Sequence, residues 1–162
     1  MNIGREVKKM AEPSRILIID DDESVRKTLA TILEEKGYKV DTAASGREAI
    51  EKSHKNFYNL ALIDIRLPDI EGTRLLPQLR ETVPKMIKIL VTGYPSLQNA
   101  VEAVNKGADA YVLKPFNVDS VLKTIEEHLK KQQEARKYSE EKVKELIETR
   151  ARELEVLPSK KT

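Results

Sequence analysis

A doubly wound α/β fold, with five parallel strands covered by helices on both faces, is what this 162-residue sequence predicts. Short runs of aliphatic residues alternate five times with segments of helical periodicity. The runs are apolar throughout rather than alternating, so both faces of the sheet need cover. Strict alternation of strand and helix then implies parallel strands joined by crossovers.

The elements follow in order. Ile16-Leu17-Ile18-Ile19 is a β-branched run ended by acids, and Val25, Leu29, Ile32 and Leu33 repeat at helical spacing until Gly37 closes the helix. Tyr38–Ala43 reads as the second strand, and Gly46–Lys55 as a helix with Ala49 and Ile50 inward. Leu60–Ile63 is a third buried strand ending at Asp64. A loop with Pro68 and Gly72 precedes a helix around Leu75, Leu76 and Leu79, expected to end before Pro84. Ile87–Val91 is the fourth strand, ending at Thr92-Gly93. Ser96 caps a helix carrying Ala100, Val101 and Val104, which Gly107 ends. Ala110–Leu113 is the fifth strand, and Asn117 caps a helix with Val121, Leu122, Ile125 and Leu129.

Ligands in such sheets sit at the carboxyl ends of the strands, where strand order reverses. The first strand ends in Asp20-Asp21-Asp22-Glu23, the third at Asp64, the fourth at Thr92, and the fifth at Lys114-Pro115. Acids after a strand often do no more than cap the next helix, and Asp22 and Glu23 read that way. Carboxylates, a hydroxyl and an ammonium gathered at one sheet edge go beyond capping. Clustered carboxylates raise each other's pKa, and a hard divalent cation such as Mg²⁺ removes that penalty.

The segments ILIIDDDESVRKTL, LALIDIRLPDIEG, KILVTGYP and GADAYVLKPF carry a resemblance. From Ser14 to about Lys131 the chain resembles response-regulator receiver domains, phosphoacceptor modules of flavodoxin-like fold with strand order 2-1-3-4-5. That resemblance implies a phosphoryl group accepted on Asp64, Mg²⁺ held directly by Asp21, Asp64 and the Arg66 carbonyl, and Asp20 acting through water. It also implies that Thr92 and Lys114 contact the phosphoryl group and that the Lys114-Pro115 peptide is cis. Tyr111 matches the aromatic position that turns inward when Thr92 moves. Arg66 and Tyr94, two residues beyond the phosphoacceptor and the switch threonine, match positions that tune hydrolysis of the aspartyl phosphate. All five functional side-chain positions carry the family's residue types, which argues against a phosphate-blind receiver.

The chemistry is coherent on its own terms. A carboxylate attacks phosphorus to give a mixed anhydride, a divalent cation neutralises developing charge, and Lys114 stabilises the outgoing oxygens. Asp64 needs no general base because it is already ionised. Two rivals use similar parts. A haloacid-dehalogenase-type phosphohydrolase wants an acid two residues after its nucleophile, where this chain has Arg66, and no cap insertion is present. A nucleotide-binding protein of this class would show a Gly-rich phosphate loop after a strand, and none occurs. No enzymatic activity is expected beyond the chain's own phosphorylation and dephosphorylation.

Composition bounds the rest. Hydrophobic residues are 40% and charged residues 35%, with a net charge of +2, so no strong field nominates nucleic acid as a partner. Residues 1–15 carry four basic and two acidic groups, 16–118 fourteen and fifteen, and 119–162 eleven and ten. There is no cysteine, and His54 and His128 fall in helical patterns as surface residues. No apolar run approaches the roughly 20 residues of a membrane span. MNIGREVKKM lacks a signal peptide's apolar stretch. A cytoplasmic protein without membrane contact is expected.

These readings divide the chain into an N-terminal extension (1–13), a receiver domain (14–131) and a charged amphipathic helical tail (132–162). In the tail, Val143, Leu146, Ile147, Leu154 and Leu157 recur at helical spacing, supported by Glu140–Lys144 and Glu148–Arg152 pairs. Arg150, Glu140 and Arg136 would sit on the seam, so a long coiled coil is poorly supported. The tail has no room for a helix-turn-helix domain and no basic stripe. The expected output is therefore a stand-alone receiver charged by a histidine kinase or phosphotransfer protein. It would act on a downstream protein through the face of the fourth helix, fifth strand and fifth helix, or through the tail. Homodimerisation stays open. The rival is a transcriptional regulator without a recognisable DNA-binding domain, which a salt-dependent DNA-binding assay separates.

Overall fold

The computed structural model describes residues 12–93, 96–114 and 117–156. Five strands, β1 (Arg15–Ile19), β2 (Lys39–Ala43), β3 (Leu60–Asp64), β4 (Ile87–Thr92) and β5 (Ala110–Leu113), alternate with helices. The helices are α1 (Glu23–Glu35), α2 (Gly46–Lys55), α3 (Gly72–Leu75), α4 (Leu97–Asn105) and α5 (Val118–Val156). All strand pairs are parallel, in the order β2-β1-β3-β4-β5. The doubly wound fold expected from the sequence is thus observed, with its switch point between β1 and β3.

Alternate residues of each strand feed two cores. Leu17, Ile19, Ala61, Ile63 and Leu90 pack on one face with Ala49, Leu75 and Leu76. Ile16, Ile18, Leu60, Leu62, Ile89 and Val91 pack on the other with Leu29, Leu33, Val121, Ile125 and Leu129. The edge strands β2 and β5 are only partly buried, so the continuous apolar pattern holds for β1, β3 and β4.

Local chemistry sets the helix ends. Asp22, Ser45 and Ser96 occupy N-cap positions and accept from the amides of Val25, Glu48 and Asn99. At the C-terminus of α1, Tyr38 N bonds Leu33 O and Gly37 N bonds Glu34 O, the six-to-one and five-to-two bonds of a Schellman ending. Gly37 takes φ 93° there, a left-handed conformation that glycine adopts without Cβ penalty.

Two features depart from expectation. The helix anticipated around Leu75, Leu76 and Leu79 covers only Gly72–Leu75, followed by a 3₁₀ turn over Leu76–Gln78. Pro77 is the physical reason, since it has no N–H to donate and its ring opposes an α-helical turn. Lys88 lies inside β4, 6% exposed, with Nζ donating to Leu76 O at 2.8 Å. Burial holds this lysine's pKa below its ordinary value. The ammonium caps a carbonyl that the shortened helix leaves without an i+4 donor.

The chain divides into a unit ending at Leu129 and a second beginning at Lys130. In the second unit the helix continues to Val156, with Tyr138, Val143, Leu146, Ile147 and Leu154 exposed. Leu157 lies outside the described residues. No helix among the described residues is long and apolar enough to cross a membrane.

Candidate functional site: the acidic edge of the sheet

Register brings the polar strand ends together. Ile19 pairs with Ile63, so Asp20 emerges beside Asp64; Asp64 pairs with Val91, and Thr92 with Leu113. Lys114 N then donates to Thr92 O at 2.6 Å, which ties the residue after β5 to the end of β4.

Asp20 is 5% exposed, and each of its groups is held. Its amide donates to Ala43 O, its Oδ1 accepts from Asp22 N at 2.9 Å, and its carbonyl accepts from Arg26 Nη1 at 2.8 Å. Lys114 Nζ lies 3.3 Å from Asp20 Oδ2 and 3.7 Å from Asp64 Oδ2, bridging the two buried carboxylates. Asp64 is 9% exposed, and its Oδ1 accepts from Arg66 N at 3.3 Å. Burial first and the Asp20 charge second push the Asp64 carboxyl above the usual range, with Lys114 and the Arg66 amide opposing them.

Asp21, beside these two, is exposed. One carboxylate oxygen from each of Asp20, Asp21 and Asp64 lies within 4.8 Å of the others. An all-oxygen, net negative donor set with one face open to solvent suits a hard divalent cation that keeps several waters. The cluster therefore fits Mg²⁺, and a cation there would offset the burial and the Asp20 repulsion that raise the Asp64 pKa.

The segment after Asp64 closes on itself. Gly72 N donates to Ile65 O at 2.7 Å, and Arg66 and Glu71 form an isolated antiparallel bridge. Gly72 is required by space: a Cβ there would meet Asp64 O at 2.7 Å and Ile65 Cα at 2.9 Å. The Arg66 backbone thus sits beside Asp64 while its side chain is exposed.

Thr92 is buried, 1% exposed, at the end of β4. Tyr111, beside Leu90 on β5, packs against the core that holds Ala103. Its hydroxyl is buried without a hydrogen-bond partner among the described residues. The structure thus brings together Asp20, Asp21, Asp64 and Lys114, with Thr92 and the Arg66 backbone adjacent in register. Tyr94 and the Lys114-Pro115 peptide fall outside, or partly outside, the described residues. Arg26 is not marked by the sequence, because its reach from the first turns of α1 to the Asp20 carbonyl has no signature in spacing.

Comparison with known proteins agrees with this geometry. Residues 16–126 match the response regulator receiver domain family. The transcriptional regulatory protein ZraR of Escherichia coli is 35% identical over 114 residues, covering 70% of this chain and 26% of ZraR. A CheY-like receiver domain protein from Methanospirillum hungatei is 47% identical with a TM-score of 0.73, over 76% of this chain and 98% of that one. A two-component response regulator from Clostridium difficile is 33% identical with a TM-score of 0.68, over 72% and 96%. The chain spans only about a quarter of ZraR's length, so the likeness concerns the receiver portion of such regulators. With a five-stranded sheet in the order β2-β1-β3-β4-β5 and a family match over residues 16–126, the chain belongs to the response regulator receiver domain family of two-component systems.

Proposed function

We propose that this chain accepts a phosphoryl group on Asp64 from a histidine kinase or phosphotransfer protein, in a reaction that depends on Mg²⁺. The observation that carries this reading is the set of three carboxylates within 4.8 Å, with the Lys114 ammonium 3.7 Å from Asp64. Asp64 Oδ forms the new bond to phosphorus as the bond to the donor breaks, and the donor leaves with the electron pair. Lys114 sits where it can turn from the carboxylates to the oxygens of the incoming group. Asp21, Asp64 and the Arg66 carbonyl are the ligands assigned to Mg²⁺, with Asp20 acting through water. Bound there, Mg²⁺ supplies charge neutralisation to the phosphoryl oxygens. The phosphohydrolase reading lacks its acid, since Arg66 occupies that position. The chain is read as no enzyme beyond its own phosphorylation and dephosphorylation.

The test is incubation with acetyl phosphate, with and without Mg²⁺, followed by intact mass. Wild type should gain one phosphoryl group only when Mg²⁺ is present. Asp21→Ala should lower Mg²⁺ affinity at least about tenfold, as loss of a ligand exceeds loss of a ligand's supporting partner. Calorimetric titration of the variant checks this, and wild-type affinity in Asp21→Ala would remove Asp21 from the ligand set.

Switching is assigned to Thr92 and Tyr111. A hydroxyl drawn toward the phosphoryl group frees space for the neighbouring ring, which biases a two-state element. The supporting observation is that Tyr111 lies two residues before Leu113, the register partner of Thr92, and packs against the core that holds Ala103 of α4, its hydroxyl buried without a hydrogen-bond partner among the described residues. Thr92→Ala should take up phosphate at a rate close to wild type yet lose most of the phosphorylation-dependent change in amide shifts across α4. A full shift change in that variant would contradict the coupling. Arg66, a donor-only cation, cannot hold an attacking water as an acid or amide does, so slow hydrolysis of the aspartyl phosphate is proposed.

Output is proposed to run through protein–protein contact in the cytoplasm. Val101 and Val104 of α4 and Leu113 of β5 are exposed by 51%, 70% and 50%, which gives the α4–β5–α5 face apolar anchors for a partner. ZraR is a transcriptional regulatory protein, and a role in transcription is the second reading for a longer protein that contains this domain.

A further inference from the structure

The loop that leaves the acidic site is tied to a helix that contributes no residue to it. Asp69, at the tip of the β3–α3 loop, accepts from Gly46 N through Oδ1 and from Arg47 N through Oδ2, both at 2.9 Å. These are first-turn amides of α2, which have no partner within the helix. The helix's own cap, Ser45, takes a different donor: its Oγ accepts from Glu48 N at 3.2 Å. Glu48 in turn accepts from Ala44 N at 2.9 Å. The donors of the first turn are therefore divided between a local cap and a carboxylate 22 or 23 positions away in sequence.

The attachment is shaped as well as charged. Gly46 has no room for a side chain, because a Cβ there would clash with Ile70 Cγ2. Asp69 and Ile70 thus seat together on the N-terminus of α2. The carboxylate at this positive helix end is held below its usual pKa range, the Arg47 and Gly46 amides being the largest causes. The other end of the loop is closed by the Gly72 N to Ile65 O bond and the Arg66–Glu71 bridge. The Arg66 backbone is part of this second fastening, three residues before Asp69, and its amide bonds Asp64 Oδ1.

We propose that Asp69 is a positioning residue for the cation site: by fastening the loop tip to α2, it fixes the Arg66 carbonyl relative to the Asp21 and Asp64 carboxylates. The inference rests on the Mg²⁺ reading above and adds a residue that touches neither the cation nor the phosphoryl group. Groups that orient ligands from behind typically change metal affinity by about ten- to a hundredfold when removed.

The test measures Mg²⁺ binding by calorimetry, with melting temperature in parallel, on the full chain and three variants. Asp69→Ala should weaken Mg²⁺ binding about tenfold. Asp69→Asn, which keeps one carbonyl oxygen to accept from an α2 amide, should recover most of the affinity. Ser45→Ala removes a cap from the same helix without touching the loop, so it should lower the melting temperature and leave Mg²⁺ affinity unchanged. Wild-type affinity in Asp69→Ala, or equal weakening in Asp69→Ala and Ser45→Ala, would overturn the inference, the latter because helix stability alone would explain it. A wild-type chain that binds no Mg²⁺ would overturn the cation reading and this inference with it.

Discussion

Asp64→Asn should lose phosphoryl uptake entirely, because the amide oxygen is a poor nucleophile and no other carboxylate of the cluster is placed to replace it. Asp20 is committed to Lys114, Asp22 N and a buried backbone, and Asp21 faces solvent. The same substitution should raise the stability of the metal-free chain at neutral pH. The sign follows from linkage: burial and Asp20 raise the folded-state pKa of Asp64 above its unfolded value. The folded chain then binds the proton more tightly than the unfolded one. Stability is lost as pH rises from the unfolded pKa through the folded one, so the ionised carboxylate is the less stable form of the folded chain. Asn removes the charge and keeps the shape. Melting of wild type and variant at neutral pH, without and with Mg²⁺, should show the variant more stable without the cation and stabilised less by it than wild type. A less stable variant would mean that Asp64 is not under electrostatic strain.

Gly72→Ala should destabilise the domain and disturb the acidic edge together. The new Cβ would lie 2.7 Å from Asp64 O and 2.9 Å from Ile65 Cα, both backbone atoms that cannot rotate away, and 3.2 Å from Leu90 Cδ2. Overpacking of this kind costs about 1–3 kcal/mol. Because the displaced backbone carries Asp64, the proposed phosphoacceptor, phosphorylation should slow alongside the fall in melting temperature. Denaturant titration together with the rate of labelling by acetyl phosphate checks both effects. A loss within about 0.5 kcal/mol, the range of ordinary surface changes, would contradict the contact argument.

The sequence made the central strands and the acidic edge legible for one shared reason. β1, β3 and β4 are buried on both faces, so their residues are apolar until the strand leaves the sheet, and the first polar residue marks the ligand-binding edge. Asp20, Asp64 and Thr92 were visible by that rule. Lys88 broke it, since its stem packs as an apolar residue does while its ammonium finds the Leu76 carbonyl. The truncation of α3 was legible in principle from Pro77, but the spacing of Leu75, Leu76 and Leu79 masked it. Arg26 on the Asp20 carbonyl and Asp69 on the α2 amides were not legible, because each contact depends on how separate elements pack. Periodicity reports which face a residue takes and carries no information about what a polar head group meets there.

The phosphoacceptor itself can be located directly. After incubation with acetyl phosphate and Mg²⁺, reduction with borohydride converts an aspartyl phosphate to homoserine, and peptide mass spectrometry then places the change. Homoserine is expected at position 64 in wild type, dependent on Mg²⁺, with positions 20 and 21 unchanged. Modification at Asp20 or Asp21 in place of Asp64, or an unmodified Asp64 under conditions that phosphorylate other receivers, would contradict the Asp64 assignment.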